Sequence, residues 1–457
     1  MSDRIRTSRI ARGGTVGRYA ARQAVRNART RFARMTRPSN PDDEATTREF
    51  LRATDELVEM LGTMKGAAMK VGQMLSIIDL TLIPHDKRAD FQRKLAVLRD
   101  SAPAISFERM RTVIEDDLGQ TLAQAFAEFD TEPLASASIG QVYRARLHDG
   151  MAVAVKVQYP GIASAVRADL KNLALLLKLS KRMLPTAGSD AFIEELTFHI
   201  SDETDYLREA KTQHEIATQY AGHPFLRIPD AVLPLCSPRV LVTEFVDGMR
   251  FDAITRESAA VRDRVAEIIY RFYIGCIYLD AQFNGDPHPG NLLLTPDGRV
   301  AFLDFGLFKR MDPASVDFER ACADLAFDER AEELHALLRT AGVLEPNATI
   351  TPAQILEYFY DASPWTFDDE ELEVTGELAG GALMTIVDPR TAAFERMHRQ
   401  TLPPEHFFSR RADFYAFGMI GQLRASANWH RIVREWVRGE PPATELGRAD
   451  AEWRALR

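Results

Sequence analysis

The 457-residue sequence predicts an α+β fold of two lobes, with a helical extension ahead of the first lobe and a helical second lobe. Three observations predict it. A stretch over about 126–158 is rich in alternating apolar residues and ends in Val153-Ala-Val-Lys-Val157, the period of a strand. A second pair of apolar runs, Leu292–Leu294 and Val300–Leu303, flanks Pro296-Asp297-Gly298 and reads as a hairpin. Over about 47–118 and after Asp304 the apolar spacing is helical. The length is enough for more than one lobe.

Composition bounds the class. Hydrophobic content of 46% and charged content of 27% are ordinary for a globular chain. Cys236, Cys276 and Cys322 are scattered, which gives no zinc spacing and no disulfide framework and points to a reducing compartment. No apolar run approaches the ~20 residues needed to span a bilayer, and the N-terminus lacks the apolar core of a secretory signal. The net charge of −9 hides an asymmetry: residues 1–40 hold eleven arginines against Asp3, or +10, which leaves −19 on the remainder. A basic arm on an acidic body reads either as contact with an anionic membrane surface or as a solvated, partly disordered tail. Its Ala-Arg composition also resembles an organelle transit peptide. Nucleic acid is not expected, because few aromatics are interleaved with the arginines. The expected location is cytoplasmic, either free or peripheral on the inner membrane.

Four regions follow in order: a basic arm over 1–45, a helical extension over 46–120, a β-rich lobe with an inserted helix over 121–247, and a helical lobe over 248–457. The arm ends at Pro38-Ser-Asn-Pro-Asp-Asp43. A long helix is expected over about 47–78, where Leu57, Leu61, Met64, Ala68, Val71, Leu75 and Ile78 share a face. Lys70 and Gln73, three apart, also share one. Further helices are expected over 87–99 and 106–118. Strands are expected over 139–147 and 151–158 around the turn His148-Asp149-Gly150. Helices are then expected over 160–185 and 190–220, and a buried strand over 240–246 leaves through Asp247-Gly248. After Asp304 the chain reads as helical to its end, clearest over 328–340, 352–360 and 410–438.

The chemistry gathers around the hairpin. Asn291 precedes its first strand and Asp304 follows its second, so both oxygens come to one end of a rigid element. Hard oxygen ligands there suit Mg²⁺, which leaves its other positions to phosphates and water. Asp286-x4-Asn291 followed by Asp304-Phe-Gly is the catalytic-loop and metal-loop spacing of the protein-kinase-like fold. Lys156 sits in a strand otherwise apolar, where an ammonium needs an anionic partner. Val153-Ala-Val-Lys156 reads as the strand whose lysine holds the α- and β-phosphates of ATP, with Ala154 lining the adenine pocket. Glu203, Asp205 and Glu209 supply candidate carboxylates. Ala135-Ser136-Ala137-Ser138 stands where a phosphate loop is expected; small residues let backbone N–H groups approach phosphates. Glu244 to Val246 offer backbone groups to adenine.

Together these residues resemble the AarF/UbiB-like atypical kinases, over about residues 50 to 340. Lys70-Val-Gly-Gln73 is similar to the family's K-x-G-Q motif, and Ala135–Ser138 to its alanine-rich loop. Lys156 resembles the strand lysine, Glu209 its ion-pair partner, and Glu203 with Asp205 the E-x-D motif. Asp286, Asn291 and Asp304 match the catalytic and metal positions. Asn284-Gly285-Asp286 departs from the family's common His-x-Asp. The resemblance implies a protein-kinase-like fold with K-x-G-Q held over the active site, where it blocks a protein substrate. It also implies Mg²⁺ and ATP as cofactors, a small-molecule or lipid acceptor in quinone or isoprenoid-lipid metabolism, and work within a biosynthetic protein complex. The alternatives are a nucleotide-binding pseudokinase scaffold and a phosphotransferase of the antibiotic or choline kinase type. K-x-G-Q and the long insert after Lys156 argue against the latter.

Overall fold

The computed structural model describes residues 105–136, 139–168, 170–171, 204–344, 348–387 and 404–457. The basic arm, the helices expected over 47–78 and 87–99, most of that over 160–185, and the site candidates Lys70, Gln73, Ala137, Ser138 and Glu203 lie outside these residues. The described residues form two compact units: one runs to Ala210 and takes in Ala231–Glu244, the other holds Lys211–Asp230 and Phe245–Arg457.

Among the described residues the first unit opens with helix α1 (Phe107–Leu118), which ends where Gly119 turns left-handed at φ 63°. A short helix, α2 (Leu122–Ala125), leads to strands β1 (Glu128–Phe129), β2 (Ala135–Ser136), β3 (Gly140–Arg146) and β4 (Ala152–Gln158). The sheet runs β1-β3-β4-β6, with β6 at Val240–Glu244 and β2 also paired to β3. Val153, Val155 and Val157 are fully buried, while Ala152, Ala154 and Lys156 face the other way and are partly exposed. The valine face packs with Met110, Ile114 and Tyr143 in one core. Asp117 pins α1 to the approach to β6, accepting from Ser237 Oγ at 2.7 Å and from the Arg239 guanidinium. Burial raises its carboxyl, but the bonds from Arg239 and Ser237 outweigh that and hold it below the usual carboxylate range.

Gly140 opens β3 so close to β4 that an added Cβ would lie 2.1 Å from the Val157 carbonyl oxygen. The two strands must separate to admit it. Gly140→Ala is therefore expected to cost about 1–3 kcal/mol, as overpacking does. Urea unfolding that leaves the variant as stable as the parent would show that no such approach exists.

Helix α3 (Tyr206–Gln219) starts in the first unit and continues into the second. The sequence suggests one helix over 190–220, but Thr204 is a turn and Asp205 is non-helical. Asp205 Oδ1 accepts from the backbone N–H groups of Leu207 at 3.1 Å and Arg208 at 3.2 Å. A short carboxylate takes these donors and so caps the start of α3.

In the second unit a four-stranded sheet runs β5-β10-β9-β7, from Leu226–Arg227, Val300–Phe302, Leu292–Leu294 and Met249–Arg250. The β9–β10 hairpin is antiparallel with Val300 opposite Leu294 and Phe302 opposite Leu292. Its turn places Gly298 at φ 79°. Helix α4 (Phe251–Ile254) follows β7, and α5 (Ala259–Tyr270) continues through a π-helical segment, Arg271–Gly275, into α6 (Cys276–Asp280). After β8 (Gln282–Asn284) and the hairpin come β11 (Phe308–Arg310), α7 (Pro313–Phe327), α8 (Ala331–Thr340) and α9 (Pro352–Ala362). The chain then adds β12 (Leu372–Val374), α10 (Gly376–Val387), α11 (Pro404–Leu423), β13 (Ala425–Ala427), α12 (Trp429–Val437) and α13 (Glu445–Ala455).

Two expectations are corrected here. The chain is not purely helical after Asp304, because β11 pairs with β8 and β12 with β13. Each strand has three residues, and its partner is distant in sequence, so local spacing does not reveal it. The helix expected over 410–438 is broken at Arg424, which adopts φ 51°. Helix α12 then restarts behind Asn428, whose Oδ1 accepts from the Arg431 N–H at 2.9 Å.

Candidate active site

Each unit carries its own cluster of candidate residues. In the first, Lys156 lies on β4, between β3 and β6, with Val142 and Leu241 opposite it. It is therefore not an edge-strand lysine. Its Nζ donates to Glu209 Oε1 at 3.0 Å and Oε2 at 3.2 Å. The side chains are 21% and 4% exposed, so the pair is largely withdrawn from water. Nζ also stands 4.8 Å from the centre of the Tyr206 ring, one helical turn before Glu209. The Asp205 cap fixes where α3 starts and so which of its residues faces the sheet. Asp205 itself is exposed.

Ala154 lies two residues before Lys156 on the same face, opposite Thr243. Glu244 ends β6 opposite Val153, and Val246 follows outside any strand. Ala135 and Ser136 are both exposed on β2, opposite Val142 and Gln141.

In the second unit the hairpin register continues one step beyond its strands: Leu303 N–H donates to the Asn291 carbonyl at 2.9 Å. Asn291 and Asp304 thus sit at the same end of the ladder, and both are half-buried. Asp304 Oδ1 accepts from Gly306 N–H at 3.1 Å, which holds the carboxylate against its own loop. Asp286 is also half-buried and follows β8, whose last residue, Asn284, stands opposite Phe308. Strands β8 and β11 therefore run the Asp286 loop and the Asp304 loop side by side.

Tyr273 and Asn284 belong to this cluster, and sequence reasoning did not assign them a role. Tyr273 lies in the π-helical segment, a feature frequent at functional sites. Burial pushes its hydroxyl well above the ordinary tyrosine value, and the Asp286 and Asp304 carboxylates push it further. Both acids thus act on the same buried hydroxyl. The Phe272 ring stacks on Phe302 at 3.8 Å between centres, which ties this segment to the strand leading to Asp304. The departure Asn284-Gly285-Asp286 was the one sequence signal for Asn284.

The donor set fits a bound Mg²⁺. An amide oxygen and a carboxylate gathered at one hairpin end are hard ligands, too few to complete a coordination shell, which suits an ion that shares its shell with phosphates and water. Among the described residues no group of three or more His, Cys, Asp or Glu side chains could cage a metal.

An interior strand lysine paired with a helix glutamate, and an Asp-x4-Asn loop beside an Asp-Phe-Gly loop, define a protein-kinase-like fold of the α+β class. Residues 97–329 match the ABC1 atypical kinase-like domain, and the chain belongs to that family. Its relatives include the mitochondrial atypical kinase coq-8 of Caenorhabditis elegans, 29% identical over 84% of this chain and 51% of that protein. The mitochondrial atypical kinase COQ8B of Rattus norvegicus is 34% identical over 55% of this chain and 47% of its own. The chain spans about half the length of the curated relatives it matches. A Mycobacterium tuberculosis protein solved in complex with erythromycin matches at a TM-score of 0.63 and 28% identity, covering 87% of this chain and 100% of that one. No helix among the described residues is long and apolar enough to cross a membrane.

Proposed function

We propose that this protein is an Mg-ATP-dependent atypical kinase or ATPase that acts on a small-molecule or lipid acceptor, or on water, in quinone or isoprenoid-lipid metabolism. The observation that carries this reading is the Lys156–Glu209 ion pair, 3.0 Å long, on an interior strand of a chain in the ABC1 family. In this reading Lys156, aligned by Glu209, holds the α- and β-phosphates of ATP. Ala154, Glu244 and Val246 flank the adenine, and the Ala135–Ser138 loop covers the phosphates. Asn291 and Asp304 hold Mg²⁺, which when bound neutralises charge on the phosphates. Asp286 orients the acceptor hydroxyl and takes its proton. Lys70 and Gln73, with Glu203 and Asp205 as partners, exclude protein substrates.

The basic arm brings the protein to an anionic membrane, each arginine near the surface contributing about 1 kcal/mol at low salt. ATP hydrolysis should therefore rise with anionic vesicles and a phenolic quinone precursor. Deleting residues 1–40 should remove the vesicle effect in a salt-sensitive way. Hydrolysis that ignores vesicles and precursor alike, or equal flotation of both chains, would reject the lipid part of the reading.

A further inference from the structure

Lys156 and Gln158 lie two apart on β4 and so share a face of the strand. Tyr206 and Glu209 lie three apart in the first turn of α3 and share a face of the helix. Gln158, only 1% exposed, ties the two elements together: its Nε2 donates to the Thr204 carbonyl at 2.9 Å and to the Pro238 carbonyl at 3.1 Å. The Pro238 carbonyl also accepts the Tyr206 N–H, at 3.1 Å. The start of α3 is thus anchored to β4 two residues beyond Lys156. This anchor sets the Tyr206 ring, itself 1% exposed, under the lysine, with Nζ 4.8 Å from the ring centre. That lies inside the ~6 Å over which a ring face attracts an ammonium, and the attraction is strongest where water is excluded.

The ring and the carboxylate hold the ammonium in different ways. A hydrogen bond to Glu209 is directional and occupies a particular N–H. To reach a phosphate, Lys156 must turn an N–H toward the new oxygen and loosen its hold on Glu209. The attraction of a ring face is tied to no single N–H, so it persists through that turn. It also restrains a flexible four-carbon stem that a carboxylate alone leaves free to pivot. We propose that Tyr206 is a positioning residue for Lys156: its ring seats the ammonium while the N–H groups are shared between Glu209 and the α- and β-phosphates. The proposal rests on the Mg-ATP reading above. In that reading Mg²⁺ is held elsewhere, by Asn291 and Asp304, so the seat acts on the phosphate contact and not on the affinity gained from the metal.

The test is a fluorination series in the full chain: Tyr206→Phe, then phenylalanine carrying one, two or three ring fluorines at the same position. Fluorine drains the negative ring face that attracts the cation and changes the ring's size little. ATP affinity by calorimetry in EDTA should fall stepwise from Tyr206→Phe to the trifluoro ring, by about 2- to 30-fold in total, the range of a cation–π contact. The further gain on adding Mg²⁺ should stay constant along the series. A role in packing alone predicts an affinity that does not follow fluorine number. Thermal unfolding without nucleotide gives an independent reading of the contact. Stability should fall along the series in the parent background and not in Lys156→Met, which keeps the stem and removes the charge. Should Lys156→Met fail to fold, the affinity series decides. Flat affinity along the series in a chain that binds ATP, or the same stability trend with and without the lysine charge, overturns the proposal. A parent chain that binds no ATP overturns the Mg-ATP reading and the positioning role with it, while the stability series still reports whether the ring holds the ammonium.

Discussion

Asp304→Asn is expected to abolish the Mg²⁺-dependent part of ATP binding while leaving the fold in place. The loss should be at least about 100-fold, since even residues that only support a metal ligand are worth about 10–100-fold. The substitution keeps the side chain's shape and leaves an oxygen to accept the Gly306 N–H now bound at 3.1 Å by Oδ1. It removes the negative charge that Mg²⁺ requires. The Asp304 carbonyl still accepts from Asn284, so the loop keeps its anchor to β8. Thermal unfolding should change little. Mg-ATP affinity unchanged in a folded variant would remove Asp304 from the metal site.

Lys156→Ala should have a comparable effect on nucleotide binding and a larger one on stability. The lysine contributes a charge-assisted contact to phosphate, worth about 1.5–3 kcal/mol and so about 10–150-fold in affinity. It also compensates the Glu209 carboxylate, which is 4% exposed. Breaking a buried pair from one side costs about 3–5 kcal/mol, because the remaining charge stays out of water. Affinity loss should therefore appear with and without Mg²⁺, in contrast to Asp304→Asn. Glu209→Gln should reproduce part of the affinity loss through poorer alignment of Lys156, with a smaller stability cost. Parent-like ATP affinity in folded Lys156→Ala would exclude the phosphate role.

Much of the candidate site is legible in the sequence because its logic is local. Alternation along Val153–Val157 puts Lys156 opposite the valines, and the structure buries Val153, Val155 and Val157 fully. The two apolar runs around Pro296-Asp297-Gly298 bring Asn291 and Asp304 to one end, and the ladder carries that register to the Leu303–Asn291 bond. Glu203, Asp205 and Glu209 are all candidate partners in the sequence, and only the family resemblance singles out Glu209. What selects it is the approach of α3 to β4, which brings Glu209 to Lys156 across 53 residues of sequence, while the local Asp205 cap sets where α3 begins. The β8–β11 pair, the π-helical turn at Tyr273 and the bonds of the Asn284 side chain to the Asp304 carbonyl and the Asp286 N–H were not legible. Each depends on residues brought together by the fold, and a three-residue strand has too little period to announce itself. Arg424 likewise breaks an apparently continuous helix with a left-handed backbone at a residue that is not glycine, three positions after Gly421.

The most direct measurement is titration of ATP into the full chain with Mg²⁺ and with EDTA, the parent beside Asp304→Asn. A Mg²⁺-dependent kinase or ATPase gives a parent whose affinity rises with Mg²⁺ and a variant whose affinity does not. Equal affinity of the parent in Mg²⁺ and EDTA, or a variant that keeps the full Mg²⁺ gain, would contradict the assignment of this site to Mg-ATP.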